Sequence, residues 1–588
     1  LDGKNHLAGV TDGALDEVLH PALLDYLRDV REFGMQARHV GERTNRRAPP
    51  HPRAKEDPAQ LYGQVWKDVA KRRVLVIPTV ILEGGNRGAV SSSPLDLAEK
   101  MLPDRSIAPE KRLVHDQRVT NEGTDKSWHP PAGQPKHLQV ARMVIWWKTT
   151  LPQVAVLLSK KDIKGAFRLL WSTPEDVELF AGDLPWREEE ETGDQDQMAE
   201  TYRIVLEESL EGGVTVIYLC ATFGFGGSPG EWTPWGRGAE EFHRAHHPAN
   251  RKRDGARPFD SRALVDDSVL VEPCLGLRPW ISAHCFTRGA TLMLGEDAIN
   301  LEKDVEEGAF RTAQTIWGVD MDTTGTFGQG SLPPGRVLKG ALLVADSRYD
   351  PCPAGGSPLT LKDVQRLRGT VQGWVPFVPG LANELRAADR MMGGSDGRSR
   401  ATPSARRDAK GNKVELDGKE VERAWDDFFE LITLLRWLTA RPRSWKVELQ
   451  EMLPVRERLM LPGELDLVVR VSSDATKELV GAIDWTNGVV AREEVSHLVR
   501  DLLEAWGRLL GEREDCTAIH IAEMLSLVAF AAEQGSAWSG AVVLYTGDNQ
   551  VMRAWLGKRR AGTRAGQLLV RVLNQVEALY RCRVVEGW

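Results

Sequence analysis

No apolar run in the 588 residues reaches the ~18–20 positions that a membrane-spanning helix needs, so no membrane partner is expected. The first residues are polar and hold no signal-peptide core. The chain opens on Leu1 and is read as a fragment or processed product. Cysteine is scarce: six residues, at 220, 274, 285, 352, 516 and 582, show no zinc-type spacing and are expected as free thiols in a reducing compartment. Positive charge is not in excess, since 76 Lys and Arg face 84 Asp and Glu for a net charge of −8. Overall basicity therefore argues for no nucleic-acid partner, and only the distribution of charge can. Basic clusters stand at Arg251-Lys252-Arg253, Arg398 to Arg407 and Lys558-Arg559-Arg560, each read as a solvated loop. An acidic run spans Glu188 to Glu191, with Asp194 and Asp196 beyond it. No fixed-period repeat is present, which excludes a solenoid. His243, His246 and His247 have roughly helical spacing but no cysteine or fourth ligand nearby, and read as a surface cluster rather than a zinc site.

What is present fits a soluble chain of several domains, 41% apolar and 27% charged. Its most informative stretch is Ala263 to Val271, where apolar residues flank Asp266 and Asp267 on both sides. The pattern reads as strand, tight turn and returning strand, with two adjacent carboxylates that repel each other and call for a cation. A second carboxylate, Asp162, follows the apolar run Leu151 to Leu158 within Lys161-Asp162-Ile163-Lys164-Gly165-Ala166-Phe167-Arg168. Between them lies Ala221 to Trp232, whose glycines permit close backbone approach to a substrate. Ser228 and Pro229 read there as a helix N-cap and its first-turn proline.

The order D-x-x-x-A-F, F-G-x-x-G-S-P, V-D-D resembles the palm of reverse transcriptases. The resemblance implies a multidomain α+β protein: a right-hand polymerase of fingers, palm and thumb, followed by an α/β ribonuclease H-like domain. It makes Asp162, Asp266 and Asp267 catalytic ligands of two Mg2+ ions, with Mn2+ as a substitute. It makes Phe167 the ring that excludes a sugar 2′-OH, and Phe223, Gly224, Gly227 and Ser228 substrate-binding residues. Leu264 departs from the aromatic usual two positions before the paired aspartates. Arg112 to Asn121, read as a strand, resembles the fingers pattern as R-L-V-x-D-x-R-x-x-N, with Arg112 directed at the triphosphate and Asp116 and Arg118 in a structural pair. Asn300 to Lys303 and Thr315 to Asp320 resemble the late lysine motif and the primer grip. Lys303 would act near the pyrophosphate leaving group.

Further along, a strand from Leu465 to Val471 leads to Asp474, a helix carries Glu523, and the strand from Ala541 ends at Asp548-Asn549. This order resembles ribonuclease H, with Asp474, Glu523 and Asp548 around two Mg2+ ions. The family's fourth acidic residue falls beyond the last residues here, and Glu586 stands too early to replace it. Glu494 to Leu510 reads as a helix.

The expected organisation is residues 1–60 as an N-terminal region of unassigned role and 61–330 as fingers and palm. Residues 331–455 form thumb and connection, with a flexible linker near 393–417, and 456–588 a C-terminally truncated ribonuclease H-like domain. The implied partners are an RNA template, a DNA primer, dNTPs and an RNA–DNA hybrid; the implied setting is a cytoplasmic or nuclear retroelement particle of the LTR or tyrosine-recombinase kind. No Asp-Thr/Ser-Gly protease signature occurs, because Asp322-Thr323-Thr324-Gly325 has an extra residue, and no zinc-finger integrase signature occurs. The alternative reading is a catalytically inactive relic that only binds nucleic acid. Phe167 and the second module disfavour an RNA-templated RNA polymerase.

Overall fold

The computed structural model describes residues 7, 9–83, 89–99, 108–184, 213–246, 257–353, 356–378, 380–393, 399–407, 413–440, 445–476, 478–495, 517–561 and 563–587. The chain divides into two compact units, Leu1–Trp147 with Gln153–Thr312, and Lys148–Pro152 with Ala313–Trp588. The acidic run and the Arg251 cluster lie outside the described residues.

In the first unit, helices α1 (Pro21–Phe33) and α2 (Pro58–Ala70) precede β1 (Val74–Pro78), β2 (Leu95–Ala98) and β3 (Arg112–His115). Then follow α3 (Arg118–Glu122), α4 (His137–Thr150), β4 (Val156–Asp162), β5 (Ala181–Leu184), β6 (Val214–Tyr218) and α5 (Ser228–Ala245). The unit closes with β7 (Ser261–Leu264), β8 (Asp267–Pro273), α6 (Arg278–Leu294) and α7 (Leu301–Glu307). Among the described residues they form three small antiparallel sheets, ordered β1-β6-β5, β2-β3 and β4-β8-β7. The expected strand from Arg112 to Asn121 is shorter than its alternation implied. It stops at His115, and Arg118 enters α3 behind an Asp116 carboxylate that accepts from its guanidinium. Leu24, Leu27 and Val30 of α1 join Trp232, Trp235 and Phe242 of α5 and Phe286 of α6 in one core. Each such side chain contributes roughly 1.5–3 kcal/mol when fully buried, so the N-terminal helices are part of this core.

In the second unit, β9 (Ala313–Ile316), β10 (Val319–Asp322), β11 (Gln329–Ser331) and a later strand, β12 (Lys446–Glu448), form a sheet in the order β12-β11-β10-β9. Helices α8 (Pro334–Ala345), α9 (Leu361–Gln372) and α10 (Gly418–Ala440) lie between β11 and β12 in the chain. In the stretch expected as a flexible linker, Arg406–Arg407 pair antiparallel with Lys413–Val414. A five-stranded mixed sheet follows, built from β13 (Val468–Ala475), β14 (Leu479–Asp484), β15 (Val489–Glu494), β16 (Val542–Thr546) and β17 (Arg583–Glu586). Its order is β15-β14-β13-β16-β17, antiparallel on the β15 side and parallel between β13, β16 and β17. Helices α11 (Thr517–Gln534), α12 (Gln550–Lys558) and α13 (Arg564–Tyr580) accompany it. Glu494, expected to open a helix, ends β15 instead, paired with Leu479; the rest of that expected helix lies outside the described residues beyond Val495.

Two surface expectations are overturned. His243 is fully buried and bonds Ser261 Oγ at 3.0 Å and Ser282 Oγ at 2.9 Å. One helical turn on, His246 turns its Nδ1 to the Phe242 carbonyl at 2.7 Å. Of the Lys558 cluster, Arg559 is buried and paired with Glu577 at 2.5 Å. In both cases distant polar residues supply the partners that burial demands, and a sequence window does not contain them.

Candidate active site

The first acidic group sits on the β4-β8-β7 sheet. Asp162 ends β4 and lies opposite Asp267, the first residue of β8. Val265 takes φ +53 in the turn before Asp266, and the Asp266 carbonyl accepts from Ile163 N–H at 2.8 Å. The three aspartates thus share one sheet corner, but their carboxylate oxygens do not all come within 4.8 Å of one another. Burial first, then the charge of Asp162, holds Asp266 above the ordinary carboxylate range; burial first, then Asp266, does the same for Asp267. The positive charges of Lys303 and Arg112 act on Asp266 in the opposite sense.

Asp162 is already engaged. Lys303 Nζ on α7 stands 2.5 Å from its Oδ1, and Asn300 Nδ2 donates to its Oδ2 at 2.9 Å. Burial pulls the Lys303 ammonium down, but the Asp162 hydrogen bond carries it above its ordinary value. Lys303 is therefore a counter-ion to the cluster here. Asn300, which opens the stretch resembling the late lysine motif but was given no role of its own there, precedes α7 and bonds the Asp162 backbone carbonyl through its own N–H at 2.9 Å.

Phe167 is buried, its ring 5.2 Å from that of Phe223 and 6.5 Å from Trp232. Gly224 takes φ +115, and a Cβ there would come within 2.1 Å of the His115 carbonyl oxygen. Asn121 clamps this loop, donating to the Gly224 carbonyl at 2.9 Å and accepting from Gly226 N–H at 2.7 Å. Ser228 is not the expected N-cap. It is the first residue of α5, and its hydroxyl donates to the Thr222 carbonyl at 3.0 Å. Beside Gly227, His129 Nδ1 meets Glu231 Oε1 at 2.7 Å, both side chains almost fully buried, and Tyr26 of α1 bonds the other Glu231 oxygen. Nothing in the sequence signalled that support. Arg112 is exposed at the start of β3.

The second acidic group belongs to the mixed sheet. Asp474 lies inside β13, one residue from its end rather than beyond it; Glu523 is in the first half of α11; Asp548 follows β16. One ligand atom from each lies within 4.8 Å of the others, the sole such trio among the described residues. Glu523 is buried, and its Oε2 has no hydrogen-bond partner. Burial first, then the charges of Asp548 and Asp474, holds it above its ordinary range. A buried glutamate with one unpartnered carboxylate oxygen, grouped with two more carboxylates, fits a hard divalent cation such as Mg2+. Glu586 is not part of this trio: Arg553 Nε holds it at 2.7 Å.

The Asp162 group fits such a cation conditionally. Burial first, and then charge within the group, raises two of its carboxylates, and Asp162 must shed Lys303 before Oδ1 can act as a ligand.

No family model and no curated protein matches the chain. Among solved structures it is similar to a foamy viral protease-reverse transcriptase dRH in complex with double-stranded DNA, at 12% identity and TM-score 0.38, covering 100% of this chain and 81% of that one. It is also similar to the foamy viral protease-reverse transcriptase with an RNA/DNA hybrid, at 13% identity and TM-score 0.38, covering 100% and 62%. The same protein with double-stranded DNA aligns at 13% identity and TM-score 0.36, covering 100% and 97%. Likenesses this distant carry neither a fold nor an activity to this chain.

Proposed function

We propose that this chain is an RNA-directed DNA polymerase that extends a DNA primer with dNTPs on an RNA template. In this reading its second unit also cleaves the RNA of an RNA–DNA hybrid. One observation carries the polymerase reading: the β4–β8 register sets Asp162 opposite Asp267, with Asp266 in the adjoining turn. Aspartates far apart in sequence thus stand at one sheet corner, in the order the palm resemblance implies.

Asp162, Asp266 and Asp267 would hold Mg2+ there, and Asp474, Glu523 and Asp548 would hold it in the second unit. When bound, Mg2+ supplies charge neutralisation at phosphoryl oxygens and makes the attacking oxygen more acidic. The chain's own residues position the reactants. Arg112 offers a planar fork to the triphosphate. Phe167, wedged against Phe223, is the wall beside the nucleotide sugar. The Asn121-clamped glycine loop presents backbone beside that wall. Lys303 moves from Asp162 toward the departing pyrophosphate. Residence in a cytoplasmic retroelement particle belongs to the same proposal.

Primer extension on poly-rA in Mg2+ and in Mn2+ tests the polymerase. Asp266→Asn should abolish extension while leaving hybrid binding nearly intact. Equal extension by that variant ends the assignment, and binding without extension by the unaltered chain favours the inactive relic.

A further inference from the structure

Asn549 and His520 stand beside the Asp474–Glu523–Asp548 trio without being ligands. Asn549 caps α12: its Oδ1 accepts from Val551 N–H at 3.0 Å and Met552 N–H at 3.2 Å. Two backbone donors on that oxygen fix the orientation of the amide, so Nδ2 must be its other end. That Nδ2 reaches Glu523 Oε1 at 3.2 Å and His520 Nδ1. The His520 ring thus lies against the same amide end that faces Glu523. His520 lies one helical turn before Glu523 on α11, so the three residues form a closed bridge between α11 and the N-terminus of α12.

The consequence concerns which oxygen of Glu523 is available. Oε1 is spoken for by the amide; Oε2 is buried and unpartnered. We infer that Asn549, oriented by its helix cap and backed by His520, is a positioning residue that makes Glu523 a one-oxygen ligand and so selects a small octahedral cation over a large one. The chemistry follows from the ions. Mg2+ and Mn2+ accept single carboxylate oxygens in octahedral geometry, whereas Ca2+ takes six to eight oxygens and readily accepts both oxygens of one carboxylate. An amide that holds Oε1 denies Ca2+ the second oxygen. This inference rests on the trio being a cation site, as proposed above.

The test is cation binding by the full chain carrying Asp266→Asn and Asp267→Asn, so that titrations report the second acidic group. Mn2+ and Ca2+ affinities are measured by isothermal titration calorimetry. Asn549→Ser keeps a capping oxygen for α12 and removes the Nδ2 donor. Mn2+ affinity should fall about ten-fold, the usual loss for a residue supporting a ligand, while Ca2+ affinity holds or rises. His520→Ala should move the ratio the same way by less. A parallel fall for both ions, or an unchanged ratio, overturns the inference. Asp474→Asn separates the two levels: if it leaves Mn2+ binding unchanged, the cation site itself fails; if it removes binding while Asn549→Ser alters nothing, only the positioning role fails. Thermal unfolding of each variant shows that the cap, and with it α12, survives.

Discussion

Lys303 Nζ lies 2.5 Å from Asp162 Oδ1 across 141 positions of sequence. A cation on a neighbouring helix thus holds the oxygen that a metal ion would need, and the two compete. Lys303→Met removes the competitor. Its stability without metal should fall by less than about 1 kcal/mol, with a slightly lower melting temperature, because the lysine is half-exposed and screened. Millimolar Mg2+ should then raise that temperature more than it raises wild type. Equal Mg2+ increments in the two proteins would refute the competition.

Phe167 packs against Phe223 and Trp232 in the core of the first unit. Phe167→Ala should increase rNTP incorporation relative to dNTP and lower stability by about 3–5 kcal/mol. Phe167→Leu keeps most of the volume and should show a smaller version of both effects. Sugar selectivity is read from competitive incorporation; if neither variant shifts it, the ring is only core packing.

Within the second unit, Arg571 of α13 is bound to Glu384 at 2.8 Å, and Asn574 donates to the same carboxylate at 3.2 Å. Asp427 and Glu430 of α10 also reach Arg571. Glu384→Ala strips a buried guanidinium of its main partner but leaves two others. The cost should be about 3 kcal/mol, at the lower end for a broken buried pair. Glu384→Gln keeps an acceptor and should recover part of it. Calorimetry on the full chain reads the shift, and an unaltered transition in Glu384→Ala would show the pair to be idle.

Burial pushes the His115 and His243 rings down to about 3 from the ordinary value of 6.5. The folded chain keeps both neutral where the unfolded chain protonates them. The unfolded state therefore binds more protons below pH 6.5, and stability is complete above that pH and lost as pH falls toward 3. At pH 5 each histidine should have cost about 2 kcal/mol. Denaturant midpoints at pH 7 and pH 5 measure this, and His243→Gln should remove roughly half of the slope. A slope that His243→Gln leaves intact would show that these rings are not its source.

Much of the local structure is legible in the residues. The run Val74 to Pro78 is a strand as its apolar continuity implies, and the Gly295 stop ends α6 where a helix should end. The hairpin around Trp317-Gly318 has its glycine at positive φ as local chemistry favours, whereas the positive φ of Val265 and Trp317 runs against their side-chain preference. The Arg112 strand was read too long because alternation continues past His115, whereas the chain itself turns into α3. Ser228 was read as a cap because its type favours that role, yet its hydroxyl found the nearer Thr222 carbonyl.

By itself the sequence determined which carboxylates exist and that a tight turn would stand at the paired aspartates, although only Asp266 lies in that turn while Asp267 opens β8, and Asp474 lies within β13 rather than after it. Those features depend on side-chain preference and on spacing over a few residues. Only the tertiary structure decided which oxygens stay available: Lys303 and Asn300 claim Asp162, Asn549 claims one side of Glu523, and His243 and Arg559 are drawn inside. Charge pairing and desolvation act through space at a few ångströms, between residues that no local window brings together.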